Sequence, residues 1–125
     1  MKLRLLRCAT MCPFGGRLPA SLLPPRLTCN VLLVEAPSGL VLVDTGVGEA
    51  DLADPSRLGP VSRLLGLAWL PELTARRQVE ALGHKASDVR HILVTHLDLD
   101  HAGGLPDFPG ATVHLLEAER AAALA

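Results

Sequence analysis

Apolar and polar positions along this chain fall into short runs separated by turn formers. The clearest are Asn30-Val31-Leu32-Leu33-Val34-Glu35 and Leu40-Val41-Leu42-Val43. Both are aliphatic, rich in β-branched residues and too short for helices, so they predict strands. Ala36-Pro37-Ser38-Gly39 lies between them and predicts a four-residue hairpin connection. Because the runs are continuously apolar rather than alternating, they predict cover on both faces. A weaker alternation of Leu3 and Leu5 with Arg4 and Leu6 predicts a short opening strand that ends near Arg7. From Met11 to Arg26, Pro13, Gly15, Gly16, Pro19, Pro24 and Pro25 predict a loop.

Further on, Pro55, Gly59, Pro60, Gly66 and Pro71 interrupt the segment from Glu49 to Leu73. Asp51, Asp54 and Ser56 can cap short helical turns there. Leu64, Leu65, Leu67, Trp69 and Leu70 read as packing on the core, with a lid over a substrate pocket as the functional alternative. Thr74 to Gly83 predicts a helix, with Thr74 as N-cap and Gly83 as stop. Ala75, Val79 and Leu82 give it an apolar face, and Arg76 can pair with Glu80 four residues on. A strand is expected over Arg90 to Thr95, another over Ala111 to Leu115, and a helix from Glu117 to Ala125. Strands first, then helix alternating with strand, predict a layered α/β arrangement.

Composition narrows the partners. The 125 residues suffice for one small domain, and 49% apolar residues argue against disorder. A net charge of -1 gives no reason to expect nucleic acid or an acidic membrane. Trp69, Phe14 and Phe108 are the only aromatics, too few for base stacking. The opening Met1-Lys2-Leu3-Arg4-Leu5-Leu6-Arg7 is too charged for a secretory signal, and no apolar run has the length of a membrane span. A cytoplasmic location is the expectation. Cys8, Cys12 and Cys29 are an odd set, which reads as free thiols rather than a disulfide framework. A thiol-based function through Cys8 and Cys12 is the weaker alternative.

The chemistry is concentrated in Thr95-His96-Leu97-Asp98-Leu99-Asp100-His101-Ala102-Gly103-Gly104. It holds two imidazoles and two carboxylates, separated only by leucines, just after an apolar strand. In an extended chain His96 and Asp98 point the same way, and a tight loop can bring Asp100 and His101 back to them. Gly103 and Gly104 allow that loop to turn. Imidazole and carboxylate suit Zn²⁺, and also Fe or Mn. The bland alternative is turn formation and capping by the two aspartates. Upstream, Asp44 ends an apolar strand and leads into Thr45-Gly46-Val47-Gly48, which puts a carboxylate at a strand's C-terminal edge.

Thr-His-x-Asp-x-Asp-His-x-Gly-Gly resembles the metal-binding signature of the metallo-β-lactamase-fold hydrolases, usually His-x-His-x-Asp-His. Leu40 to Gly48 resembles that family's strand-plus-Asp-Thr-Gly element, and Val89 to Thr95 the strand that leads into the signature. The match runs from Asn30 onward and is similar, more narrowly, to lactonase-like bacterial members. The resemblance implies an α/β fold, the N-terminal half of an αββα sandwich, with two metal ions at one edge. It implies His96 as a ligand of the first metal and Asp100 and His101 as ligands of the second. Asp44 would be a carboxylate that steadies the ligands. Asp98 stands where the family has histidine, as a further ligand of altered chemistry. Asp100 would also orient the attacking water, the catalytic role. The substrate would be a small ester, lactone or related acyl compound, and the cofactor zinc, two ions in the complete enzyme.

The family draws later ligands from its C-terminal half. His114 comes too soon after the signature to supply one, and His84, His91 and His114 read as structural or surface residues. The expectation is therefore one partial domain over residues 1–125, weak metal binding, and an exposed apolar sheet face. A truncated, non-catalytic binding or assembly module that self-associates through that sheet is the alternative.

Overall fold

The computed structural model describes residues 1–12, 26–60, 66–68 and 70–125. Most of the expected loop from Met11 to Arg26 lies outside the described residues, as do Leu64, Leu65 and Trp69. Five strands hydrogen-bond in chain order: β1 (Lys2–Met11), β2 (Leu27–Ala36), β3 (Gly39–Val43), β4 (Val89–Val94) and β5 (Thr112–Leu115). The first three are antiparallel neighbours, while β3, β4 and β5 run parallel. Parallel pairing needs a crossover. Between β3 and β4 it carries α1 (Glu49–Ala53) and α2 (Ala75–Ala81), and between β4 and β5 it carries α3 (Leu99–Ala102). A last helix, α4 (Glu117–Leu124), follows β5. The layered α/β expectation holds.

Three details differ from the sequence expectation. The opening strand is ten residues long and includes Cys8. Its register shifts between Arg7 and Thr10, where Ala9 takes φ 105°, so the bulge breaks the alternation that would have announced it. The hairpin is tighter than expected, because Ala36 pairs with Gly39 and only Pro37 and Ser38 turn. At Gly39 φ is 131° and a Cβ would lie 2.6 Å from Arg90 Cγ, so both conformation and space select glycine.

The third difference concerns the sheet's two faces. One face is fully buried: Leu6, Cys8, Val31, Leu33, Leu40, Leu42, Ile92 and Val94 pack with Ala75 and Val79 of α2 and with Phe108. The register carries the other face from Leu3 and Leu5 through Val34 and Leu32 to Val41, Val43 and Leu93. There Leu5 is 64% exposed and Leu93 43%, while the β2 and β3 residues are half-buried. Continuous apolarity reports that water is disfavoured on both faces. It does not report which element covers each one.

The helix α2 behaves as its sequence predicts. The Thr74 side chain accepts from Arg77 N, and Gly83 follows at φ 88°. Arg76 Nε lies 3.1 Å from Glu80 Oε1. Leu82 falls at the C-cap, 37% exposed, rather than on the apolar face. Ionic contacts then fasten α1 to α2: Arg77 Nε lies 2.8 Å and Arg76 Nη1 3.4 Å from the Glu49 carboxylate. Glu49 N donates to Asp107 Oδ2 at 3.1 Å, and burial holds the Asp107 carboxyl above its ordinary range. Leu67 packs with Ala9, Met11, Cys29 and Val47, the core position expected for it. Among the described residues no helix is long and apolar enough to cross a membrane.

Candidate metal centre

Two loops meet at the C-terminal ends of β3 and β4. Their strands are parallel neighbours, Val43 opposite Leu93, so the residues that follow each strand emerge side by side. Asp44 N donates to Leu93 O at 2.8 Å and extends the ladder by one bond. Asp44 takes φ 63°, a conformation aspartate tolerates better than most residues. Thr45 is fully buried, and both its N and its Oγ1 donate to His101 O, at 2.7 and 3.0 Å. Gly104 N lies 2.9 Å from Gly46 O and 3.1 Å from Thr45 Oγ1.

The glycine pair is there for proximity, not for turning. Gly103 has φ -59° and Gly104 φ -84°, values open to any residue. A Cβ on Gly103 would lie 2.5 Å from Asp51 Oδ2 and 2.5 Å from Leu99 O. One on Gly104 would lie 2.9 Å from Thr45 O. Asp51 itself is buried, accepts from Gly48 N at 3.2 Å and pairs with Arg57 at 3.1 Å.

Four side chains project from the second loop. The chain leaves β4 at Val94, runs irregularly through His96 to Asp98, and forms the single turn of α3. Asp100 and His101 are therefore on a helical turn rather than on the loop expected. His96 Nε2 lies 3.3 Å from Asp98 Oδ2, and His101 Nε2 lies 3.4 Å from Asp100 Oδ2. The two rings are tilted neighbours, with centroids 4.0 Å apart.

Asp44 organises both imidazoles from behind. Its Oδ2 lies 3.0 Å from His101 Nδ1. Thr95 N donates to Asp44 Oδ1 at 2.8 Å, and Thr95 Oγ1 donates to Asp44 Oδ2 at 2.8 Å. The same hydroxyl oxygen lies 3.0 Å from His96 Nδ1 and, having spent its hydrogen on Asp44, accepts there. These contacts suit the tautomer with the proton on Nδ1 in both rings, which leaves Nε2 for a metal. Thr95 is a residue to which sequence reasoning gave no role. Its signal was its place, directly before His96 and at the end of a buried strand.

Among the described residues no group of three or more His, Cys, Asp or Glu side chains is already gathered around one point. The donors come as two imidazole–carboxylate pairs. With metal–ligand bonds of about 2.0–2.2 Å, neighbouring ligands of one ion sit about 3.0–3.5 Å apart. Both pairs have that separation, and both offer borderline and hard donors, so the residues fit divalent metal ions. The other histidines stand apart. His91 Nδ1 meets His114 Nε2 at 3.1 Å across β4 and β5, and His84 lies 4.0 Å from Glu35.

The thiols are placed against reactivity. Burial, first of all, pushes both Cys8 and Cys29 up to about 12, which keeps them protonated at neutral pH. Cys29 Sγ reaches Asp100 Oδ2 at 3.9 Å as a weak donor. Alkylation of the folded chain by iodoacetamide at pH 7 is expected to mark half-buried Cys12 first. Cys8 and Cys29 should react only on unfolding, as peptide mass mapping would show. Equal labelling of all three would contradict this burial.

Comparison with known proteins adds four findings. The family model described as the metallo-beta-lactamase superfamily matches residues 24–123. A probable metallo-hydrolase of Mycobacterium tuberculosis is 48% identical over 124 residues, covering 99% of this chain and 37% of the relative. The N-acyl homoserine lactonase AttM of Agrobacterium fabrum is 32% identical over 89 residues, 68% of this chain and 32% of the relative. Among solved structures, an N-acyl homoserine lactone hydrolase with N-hexanoyl-L-homoserine at its catalytic metal centre superposes with TM-score 0.75 at 24% identity. That likeness, over 99% of this chain and 52% of the other, is one of fold. The chain thus spans about half the length of the solved neighbour and 37% of the mycobacterial relative.

Proposed function

Because the chain belongs to the metallo-beta-lactamase superfamily, we propose that it carries the first portion of a hydrolytic metal site acting on a lactone or related ester. The observation that supports this best is the Asp44 carboxylate, which holds the Nδ1 side of both imidazoles, directly and through Thr95. Buried polar groups that orient histidines outward are what a metal ligand set requires and what a capping loop does not.

In this reading His96 and Asp98 hold one ion, and Asp100 and His101 the other. Zinc is the working assignment. When bound, the ions supply Lewis acidity to the scissile carbonyl and lower the pKa of the attacking water. Asp100 would orient that water through a carboxylate oxygen. Asp44 and Thr95 keep the imidazoles in the binding tautomer throughout the cycle. The lactone class follows the N-acyl homoserine lactonase AttM, 32% identical over 89 residues.

The test is equilibrium dialysis of the chain against Zn²⁺, with metal analysis, beside hydrolysis of an N-acyl homoserine lactone. Chelator-removable zinc is expected in the native chain and absent from the His96→Ala/His101→Ala double variant. Equal zinc in both would overturn the proposal.

A second reading, an assembly module, is favoured by the outward apolar face at Leu3, Leu5 and Leu93, which a second copy of the chain could cover. Sedimentation separates the two. A dimer that persists in chelator supports assembly, and a monomer at all concentrations removes it.

A further inference from the structure

One donor in the site is not the residue its surroundings lead one to expect. Asp98 stands at the N-cap of α3, the place where an aspartate commonly accepts from the first turn. Its side chain makes no such bond. The carboxylate is 78% exposed and turned to His96, Oδ2 to Nε2 3.3 Å. Capping therefore does not account for it, and its one described partner is a histidine whose other nitrogen is already held by Thr95.

The second pair provides an internal standard. His101 Nε2 and Asp100 Oδ2 are 3.4 Å apart, nearly the same separation. The loop thus presents two pairs of one imidazole and one carboxylate each. A signature with histidine at position 98 would instead present an all-imidazole pair beside a mixed one. Carboxylate oxygen is harder than imidazole nitrogen and brings a negative charge. It favours manganese relative to zinc, which gains more from nitrogen ligands.

We propose that Asp98 shifts the selectivity of the position it shares with His96 from zinc toward the harder divalent cation manganese. The inference rests on the metal-site reading above and specifies the ion. All three carboxylates that face the two imidazoles contribute, Asp44 from behind, Asp98 and Asp100 from in front. Only Asp98 departs from the His-x-His-x-Asp-His signature that this stretch resembles.

The experiment is competition dialysis of the 125-residue chain against equimolar Mn²⁺ and Zn²⁺. Bound metals are counted by elemental analysis, and bound Mn²⁺ is followed by electron paramagnetic resonance. Zinc binds most nitrogen- and oxygen-donor sites more tightly than manganese, so the ratio between variants is what is read. Asp98→His is expected to lower the bound Mn:Zn ratio by about tenfold. Asp98→Asn, which keeps shape but not charge, is expected to lower Mn²⁺ occupancy while the Asp100–His101 pair still loads. Because Asp98 is exposed and makes no cap bond, both variants keep the fold. An unchanged ratio in Asp98→His, with metal still bound, overturns this inference alone. A native chain that retains neither metal overturns the metal-site reading, and this inference with it.

Discussion

Asp44→Asn is expected to weaken divalent-metal binding by about 10–100-fold, the usual cost of losing a partner that orients a ligand. The fold should survive. Asparagine is isosteric, accepts αL geometry as readily as aspartate, and its Oδ1 can still receive Thr95 N. What changes is the edge that faces His101. There a carboxylate oxygen at 3.0 Å receives the Nδ1 proton. The asparagine amide would present a donor instead. The ring must then move its proton to Nε2, or turn away, and either outcome removes the lone pair that would meet a metal. Thr95 Oγ1 loses its bond to Asp44 Oδ2 at 2.8 Å but keeps the second acceptor, Oδ1, at 3.0 Å, so His96 is disturbed less than His101. Calorimetric titration reads the affinity, and ¹⁵N chemical shifts of the imidazoles read the tautomers. Unchanged affinity with unchanged tautomers would show that Asp44 serves only the backbone.

Gly103→Ala sets two physical terms against each other. Gly103 has α-helical angles, φ -59° and ψ -30°, at the end of α3. Helix propensity alone predicts that alanine stabilises by up to about 1 kcal/mol. Space predicts the reverse, because the new methyl would sit 2.5 Å from the Leu99 carbonyl oxygen and from Asp51 Oδ2. The first is backbone, and the second is buried and held by Gly48 N and Arg57. Neither yields cheaply, and overpacking of this kind costs about 1–3 kcal/mol or more. The expected net result is destabilisation of about 1–2 kcal/mol, with loss of metal capacity as the two loops separate. Gly110→Ala is the control, since its Cβ would meet nothing within 4 Å. Urea unfolding of both variants decides the matter, and a Gly103→Ala chain as stable as the control would refute the packing account.

Chemistry was more legible in the sequence than surroundings were. His96, Asp98, Asp100 and His101 could be singled out because unusual residue types sit at short spacing after an apolar strand, and Asp44 because it ends one and resembles a family element. The strands β2, β3 and β4 and the helix α2 could be placed because apolar period and end signals agree there. The length of β1 could not, since the bulge at Ala9 removes the alternation from which a strand is recognised. The exposed apolar face is expected only from the resemblance to a larger sandwich, because hydrophobicity alone does not name the neighbour that supplies cover. Thr95 escaped notice for a related reason: a threonine is ordinary at a strand end, and its role depends on a carboxylate 51 residues earlier. The glycine pair was noticed but explained by flexibility. Its actual constraint, contact with Thr45 and Asp51, is a property of two loops and of neither alone.

The parallel pairing of β3 with β4 has a consequence for the order in which the molecule assembles. The donors His96, Asp98, Asp100 and His101 are local and exist as neighbours even in an unfolded chain. The carboxylate that aims them is not, because Asp44 reaches Thr95 only after a crossover of some fifty residues has been closed and docked. Closing such a loop is an entropic cost met before any contact rewards it. Metal ions present during refolding therefore encounter donors that are close together but unaimed. A tightly held ion in the wrong arrangement would have to be released before the sheet could finish. Under the proposed metal site, refolding in chelator with metal added afterwards is expected to load the chain more completely than refolding with metal present.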